Sequence, residues 1–149
     1  MALKITDKAC CDIEEKFDKT NCFIKSYYYW NVLVRNKQIT LGSCAIILKR
    51  HVESFAAVEA DELVELSDVI VDLEKALQKS FSYNKINYLM LMMVDNHVHF
   101  HVLPRYEKQQ TFAAITFIDK CWPKVSDMQP QEINKETLLK IKEKIKNNY

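Results

Sequence analysis

The sequence predicts an α+β fold built on a largely antiparallel sheet. Three observations carry that prediction. Apolar residues recur at helical spacing from about Asp61 to Phe81, residues 97–103 alternate with period two, and strand-like and helix-like segments do not alternate strictly. At 149 residues the chain has the length of one domain, taken as 1–149, and shows no internal repeat or linker.

The elements follow in chain order. Residues from about Ala9 to Phe17 are charged and modestly periodic, a short helix. Phe23 to Val34, with Tyr27-Tyr28-Tyr29-Trp30-Asn31-Val32-Leu33-Val34, is aromatic and β-branched and reads as a strand. Arg35-Asn36-Lys37-Gln38 breaks it, and Ser43 to Leu48 returns as a second strand of a hairpin. In the long helix, Leu63, Leu66, Ile70, Leu73 and Leu77 form one stripe for packing on the sheet. Glu62, Glu65 and Asp68 crowd its start, and Lys75 and Lys79 its end, as the helix dipole prefers. Ile86 to Val94 is continuously apolar, a buried strand, and Asp95-Asn96 is a tight turn. His97-Val98-His99-Phe100-His101-Val102-Leu103 then alternates until Pro104 stops it. Asn134 to Lys146 closes as a helix with Leu138, Ile141 and Ile145 inward and its lysines solvated.

Composition excludes several functions. Hydrophobic residues make up 48% and charged ones 28%, a globular balance. With 21 Lys and Arg against 20 Asp and Glu, the net charge is +1, which argues against a basic nucleic-acid coat. A single Gly excludes a P-loop and a dinucleotide fingerprint. No apolar run approaches the ~20 residues of a membrane span, and the N-terminus lacks the apolar core of a signal peptide. Five cysteines without C-x-x-C spacing read as reduced thiols of a cytoplasmic protein. Cys44 is expected to be a small buried hydrophobe, and zinc held between Cys10 and Cys11 is disfavoured because adjacent side chains diverge.

The chemistry lies in residues 97–101. Alternate side chains on a strand share a face, so His97, His99 and His101 project together while Val98, Phe100 and Val102 point the other way. Three imidazoles in a row are costly to bury as structural residues. One reading is a metal site, although the outer pair spans roughly 13 Å on an extended strand, which strains three-point coordination. The other is a row that contacts an extended polyanion. Close imidazoles suppress one another's charging, so some stay neutral at pH 7, and a neutral ring can attack phosphorus. The middle position, His99, has a donor on each side and is favoured as nucleophile.

His97-Val98-His99-Phe100-His101-Val102-Leu103-Pro104-Arg105 resembles the signature of the histidine triad (HIT) family. Leu41-Gly42-Ser43-Cys44-Ala45-Ile46-Ile47-Leu48-Lys49-Arg50-His51-Val52 is similar to that family's strand leading into a basic-His segment; together the match covers about residues 25–105. The resemblance implies a HIT-like fold with about five antiparallel strands, one long helix and flanking shorter helices, working as a homodimer. It implies a nucleotide hydrolase or nucleotidyl transferase acting on a nucleoside phosphate, phosphoramidate or dinucleoside polyphosphate. His99 would carry the nucleotidyl group and His97 and His101 would orient and assist it, with no metal or other cofactor. The alternative is a nucleotide-binding or metal-binding relative with weak or no catalysis. No membrane and no nucleic acid are expected as partners.

Three departures from the family pattern stand out. Ser43 replaces a histidine common at that position. Arg35, with Asn36 beside it, stands where the family has Asn or Asp for the ribose. Only Asp95-Asn96 separates the apolar segment from the triad, where relatives have a phosphate-contacting loop. The phosphate is therefore assigned to Asn96, Arg105 or another basic residue. His51 is expected to make a structural hydrogen bond.

Overall fold

A computed structural model describes residues 11–149. Short helices α1 (Ile13–Lys16) and α2 (Lys19–Cys22) come first, then strands β1 (Phe23–Ser26), β2 (Trp30–Val34) and β3 (Cys44–Leu48). Helix α3 (Ala60–Phe81) follows, then β4 (Lys85–Leu89), β5 (His99–Arg105), the small hairpin of β6 (Gln110–Phe112) and β7 (Ile115–Phe117), and α4 (Lys135–Lys146). The main sheet has five strands in the order β1-β2-β3-β5-β4, and every neighbouring pair is antiparallel. The expected α+β fold with a five-stranded antiparallel sheet and one long helix is the one observed.

Directly opposed residues share a face, so the ladders sort the sheet into two sides. Asn31, Leu33, Ser43, Ala45, Ile47, His99 and His101 lie on one. Trp30, Val32, Val34, Cys44, Ile46, Leu48, Phe100 and Val102 lie on the other, among the buried core, with Cys44 fully buried as expected. Helix α3 joins that second side: Trp30 Nε1 donates to the Glu62 carbonyl at 2.8 Å and Tyr88 Oη to Glu74 at 2.9 Å. Burying Leu73 and Leu77 there stabilises the fold by ~1.5–3 kcal/mol each. Helix α4 turns Leu138, Ile141 and Ile145 inward as its pattern predicts.

Several local expectations are corrected. Phe23–Val34 is two strands, because Tyr27–Tyr29 turn the chain. Strand propensity reports fit to a pleated surface and cannot locate a turn held from outside; here the Glu65 carboxylate in α3 accepts from the Tyr28 and Tyr29 amides at 2.9 and 2.6 Å. Of the helix expected over 9–17, Ala9 and Cys10 lie outside the described residues and only α1 is helical in the rest. In α3, Leu63 is 41% exposed because Glu62, 1% exposed, takes the inward place in the first turn; Val69 and Ala76 complete the buried stripe. The apolar segment 86–94 is a strand only to Leu89. It is an edge strand with one neighbour, and Met93 and Val94 are more than four-fifths exposed. Residues 90–98, rather than a two-residue turn, therefore join β4 to β5. Strand β5 also runs through Pro104, because β3 stops pairing at Val102 and the proline sits where β5 has a neighbour on one side only.

The single glycine closes the approach to β3. Gly42 has φ +84°, and a Cβ there would stand 2.8 Å from Cδ2 of Phe81. Both the backbone conformation and the contact penalise any side chain. Gly42→Ala is expected to lower stability by roughly 2 kcal/mol, read as a shift of the urea midpoint without a change of slope.

Candidate active site

The register of β3 on β5 sets Ile47 beside His99 and Ala45 beside His101. Their rings meet edge to face with centroids 4.9 Å apart. His97 lies just before the strand, and its ring is fixed separately. Its Nε2 stands 2.6 Å from the Leu48 carbonyl, which can only accept, so Nε2 carries the proton and Nδ1 the lone pair. The His97 carbonyl in turn accepts from Nδ1 of His99 at 2.6 Å, which leaves Nε2 of His99 as its lone-pair nitrogen when the ring is neutral.

All three rings are buried, at 2%, 2% and 8% exposed for His97, His99 and His101. Phe17 covers the latter two, with its ring centroid 5.7 Å from His99 and 5.9 Å from His101. The segment that brings Phe17 there is tied down by polar contacts: Lys16 with Asp95 at 2.7 Å, Asn31 Nδ2 donating to Glu14 at 2.6 Å, and Asn36 Nδ2 donating to the Lys16 carbonyl at 3.1 Å. Burial, then the charges of Arg35 and His99, push the His101 pKa down to about 4. Burial also lowers that of His97, with His51 and His99 adding to the effect against the Leu48 carbonyl.

This triple of buried, sequentially alternating histidines at the start of β5 is matched by comparison. A HIT-domain family model covers residues 6–108. The chain belongs to the histidine triad family. Its fold is similar to that of a histidine triad protein from Sinorhizobium meliloti 1021, with TM-score 0.72, 16% identity, and 91% of this chain and 94% of that one covered. It is also similar to a hypothetical histidine triad nucleotide-binding protein from Sulfolobus tokodaii strain 7 (TM-score 0.64, 21% identity, 93% and 91% covered). A third is a Zn-bound histidine triad family protein from Mycobacterium smegmatis (TM-score 0.58, 14% identity, 84% of each chain covered). No curated protein matches. No helix among the described residues is long and apolar enough to cross a membrane.

Around the triad of this family member, the other candidate residues divide. Arg35 reaches the histidine face, its guanidinium carbon 5.8 Å from the Phe17 ring centroid. Asn36 binds the Lys16 carbonyl and so holds the covering segment. Asn96 is exposed and lines a small pocket with Cys11, Lys16, Asp95 and His97. Ser43 does not meet the histidines: its hydroxyl donates to the Thr40 carbonyl at 2.7 Å and accepts from the Thr40 amide at 3.0 Å. Arg105 is also committed elsewhere. It forms a buried pair with Asp119, Nε to Oδ2 at 2.6 Å, and donates to Asn87 and to the Lys124 carbonyl. Taking one partner from such a pair is costly, so these bonds hold the Arg105 side chain at the strand end.

Two features escaped the sequence reading. One is Glu62, which receives both Arg50 Nε at 2.8 Å and Nη2 at 2.9 Å and so pins the segment before His51. The other is a cluster of Cys11, His51 and His97, whose ligating atoms all lie within 4.8 Å of one another. Cys11 Sγ and His51 Nδ1 stand 3.3 and 3.1 Å from His97 Nδ1. Tetrahedral zinc with these ligands needs ligand–ligand spacings of roughly 3.3–3.6 Å; the two spacings to His97 Nδ1 are near that range, and the Cys11–His51 pair lies within 4.8 Å. Cys10 lies outside the described residues. His51 thus has the hydrogen-bonded role expected of it and a ligating geometry besides.

The buried histidines make stability depend on pH with a definite sign. His101 titrates near 6.5 when unfolded and about 4 when folded. Below pH 6.5 the unfolded chain takes up a proton that the folded one refuses, and His97 acts in the same direction. Stability is therefore full above 6.5 and declines as the pH falls toward 4. Urea midpoints at pH 7, 6 and 5 should fall in that order, and His101→Asn should flatten the slope.

Proposed function

We propose that this histidine triad protein is a nucleotide hydrolase or nucleotidyl transferase whose nucleophile is His99. The observation that carries the reading is the 2.6 Å bond from His99 Nδ1 to the His97 carbonyl. It presents Nε2 as a lone-pair nitrogen in a fixed orientation, the preparation that attack on phosphorus needs. Nε2 bonds to the α-phosphorus of a nucleoside phosphate, phosphoramidate or dinucleoside polyphosphate as the bond to the leaving group breaks. Water or another acceptor then releases the nucleotide from the ring. His101, neutral at pH 7, donates its one N–H to an oxygen that gains charge, and the His97 backbone holds the nucleophile. Substrate reaches Nε2 only after Phe17 and α1 lift away from the rings. The 149 residues act as one domain, as a homodimer in the cytoplasm, and nucleic acid is not a partner.

Removing a nucleophile from a unit of interdependent residues costs ~10⁴-fold or more in rate. His99→Ala should abolish turnover of an adenosine phosphoramidate while nucleoside monophosphate still binds. His97→Ala should slow turnover less, since its carbonyl remains. Acid quench and mass spectrometry should find the nucleotidyl adduct on His99 alone. Equal rates for wild type and His99→Ala sink the reading.

The Cys11–His51–His97 cluster favours a second reading, a metal-binding member of the family. The cluster would take His97 Nδ1 and leave His99 and His101 to their own chemistry. On that reading one zinc ion binds per chain by calorimetry, His51→Ala and Cys11→Ser each weaken it, and turnover survives chelation. Absence of zinc binding to the wild type removes it.

A further inference from the structure

The chain has three arginines, and two of them are paired within the fold. Arg50 binds Glu62 and Arg105 binds Asp119. Arg35 has neither a carboxylate nor a carbonyl among the described residues. Its Nε and Nη1 are buried with no hydrogen-bond partner, and so is Nδ1 of His101. Both side chains occupy the same face of the sheet, because the Arg35 amide binds the Ser43 carbonyl, one rung beyond the row of Leu33, Ala45 and His101. Phe17 lies against both.

Buried guanidinium N–H groups without acceptors are costly, and the fork has five N–H donors and no acceptor. An anionic acceptor would satisfy both the donors and the charge, and the planar fork suits the paired oxygens of a phosphate. Its place matters as much as its charge. His99 lies in the row of Asn31 and Ile47, two rungs from Arg35. Each rung is ~6.6–6.8 Å along a strand, so Arg35 approaches the histidine row from the His101 end, and an anion it holds lies on that side of the phosphorus that His99 would attack.

We infer that Arg35 is a specificity-determining residue of the histidine face, and that it selects ligands carrying a second phosphate beside His101. The inference rests on the nucleotide reading above and sharpens its substrate class to nucleotides with two separated or linked phosphates. The second phosphate belongs either to a polyphosphate chain or to the sugar. Burial also lowers the pKa of Arg35 without discharging it, so the demand for an anion persists at neutral pH.

The test is calorimetric titration of wild type and Arg35→Gln with a nucleoside 5′-monophosphate, its 5′-diphosphate, its 3′,5′-bisphosphate and inorganic pyrophosphate. One of the nucleotides with two phosphates should bind the wild type about ten-fold or more tighter than the monophosphate. Excess for the diphosphate assigns the second phosphate to a chain, and excess for the bisphosphate assigns it to the sugar. Arg35→Gln should erase the excess and leave the monophosphate within about two-fold. Because the guanidinium makes no hydrogen bond or ion pair among the described residues and only faces the Phe17 ring, the variant should melt close to the wild type. No excess in the wild type, an excess that survives Arg35→Gln, or a lowered melting temperature with unchanged affinities would overturn the inference. Pyrophosphate separates the two levels. Arg35-dependent pyrophosphate binding without nucleotide binding rejects the nucleotide reading and keeps the anion site, whereas His99-dependent turnover indifferent to Arg35 does the reverse.

Discussion

The pairing of β3 with β5 is the constraint on which the site depends. It places Ala45 opposite His101 and Ile47 opposite His99 at the centre of the sheet. Side chains alternate with period two, so a slip of one residue would send both imidazoles to the side that packs on α3 and bring Phe100 and Val102 to the other. The apolar partners on each side therefore hold the register, and the register holds the chemistry. Strand β3 contributes only buried residues, which makes its fit to both neighbours strongly specified.

Backbone carbonyls then do what side-chain bases do elsewhere. Leu48 fixes the tautomer of His97, and His97 fixes that of His99. A carbonyl accepts and never donates, so each bond determines which ring nitrogen is left with a lone pair. The same burial that aligns the rings keeps His97 and His101 uncharged at neutral pH. Orientation and protonation state thus share one cause, the closeness of packing around the row.

The covering segment couples the site to distant parts of the chain. Phe17 reaches the rings through α1, which binds the 90–98 connection through Lys16 and Asp95, and β2 through Glu14 and Asn31. Most of these tethers are partly exposed, where ion pairs contribute little, ~0–1 kcal/mol. The apolar contact of Phe17 carries the closure. Glu62 plays the corresponding role on the far side, where one buried carboxylate joins the start of α3 to Arg50 and so to His51.

The sequence by itself determined the fold class, the long helix and the histidine face, because each rests on periodicity within one segment. Leu66, Leu73 and Leu77 at helical spacing bury one stripe whatever they pack against, and residues two apart on a strand share a face by geometry alone. The HIT signature, too, is a local pattern. Only the tertiary structure decided what the imidazoles meet. The turn at Tyr27–Tyr29 needs Glu65 from a helix remote in sequence, and the apolar run after β4 ends early because its place at the sheet edge leaves it half uncovered. Ser43 and Arg105 carry side chains suited to a ligand and spend them on Thr40 and Asp119. Arg35, whose type alone says little, is left with buried Nε and Nη1 against the histidine face and no counter-charge among the described residues. Hydrogen bonds and charges are satisfied by whichever groups folding brings within ~3 Å, and residues far apart in the chain carry no local mark of that encounter.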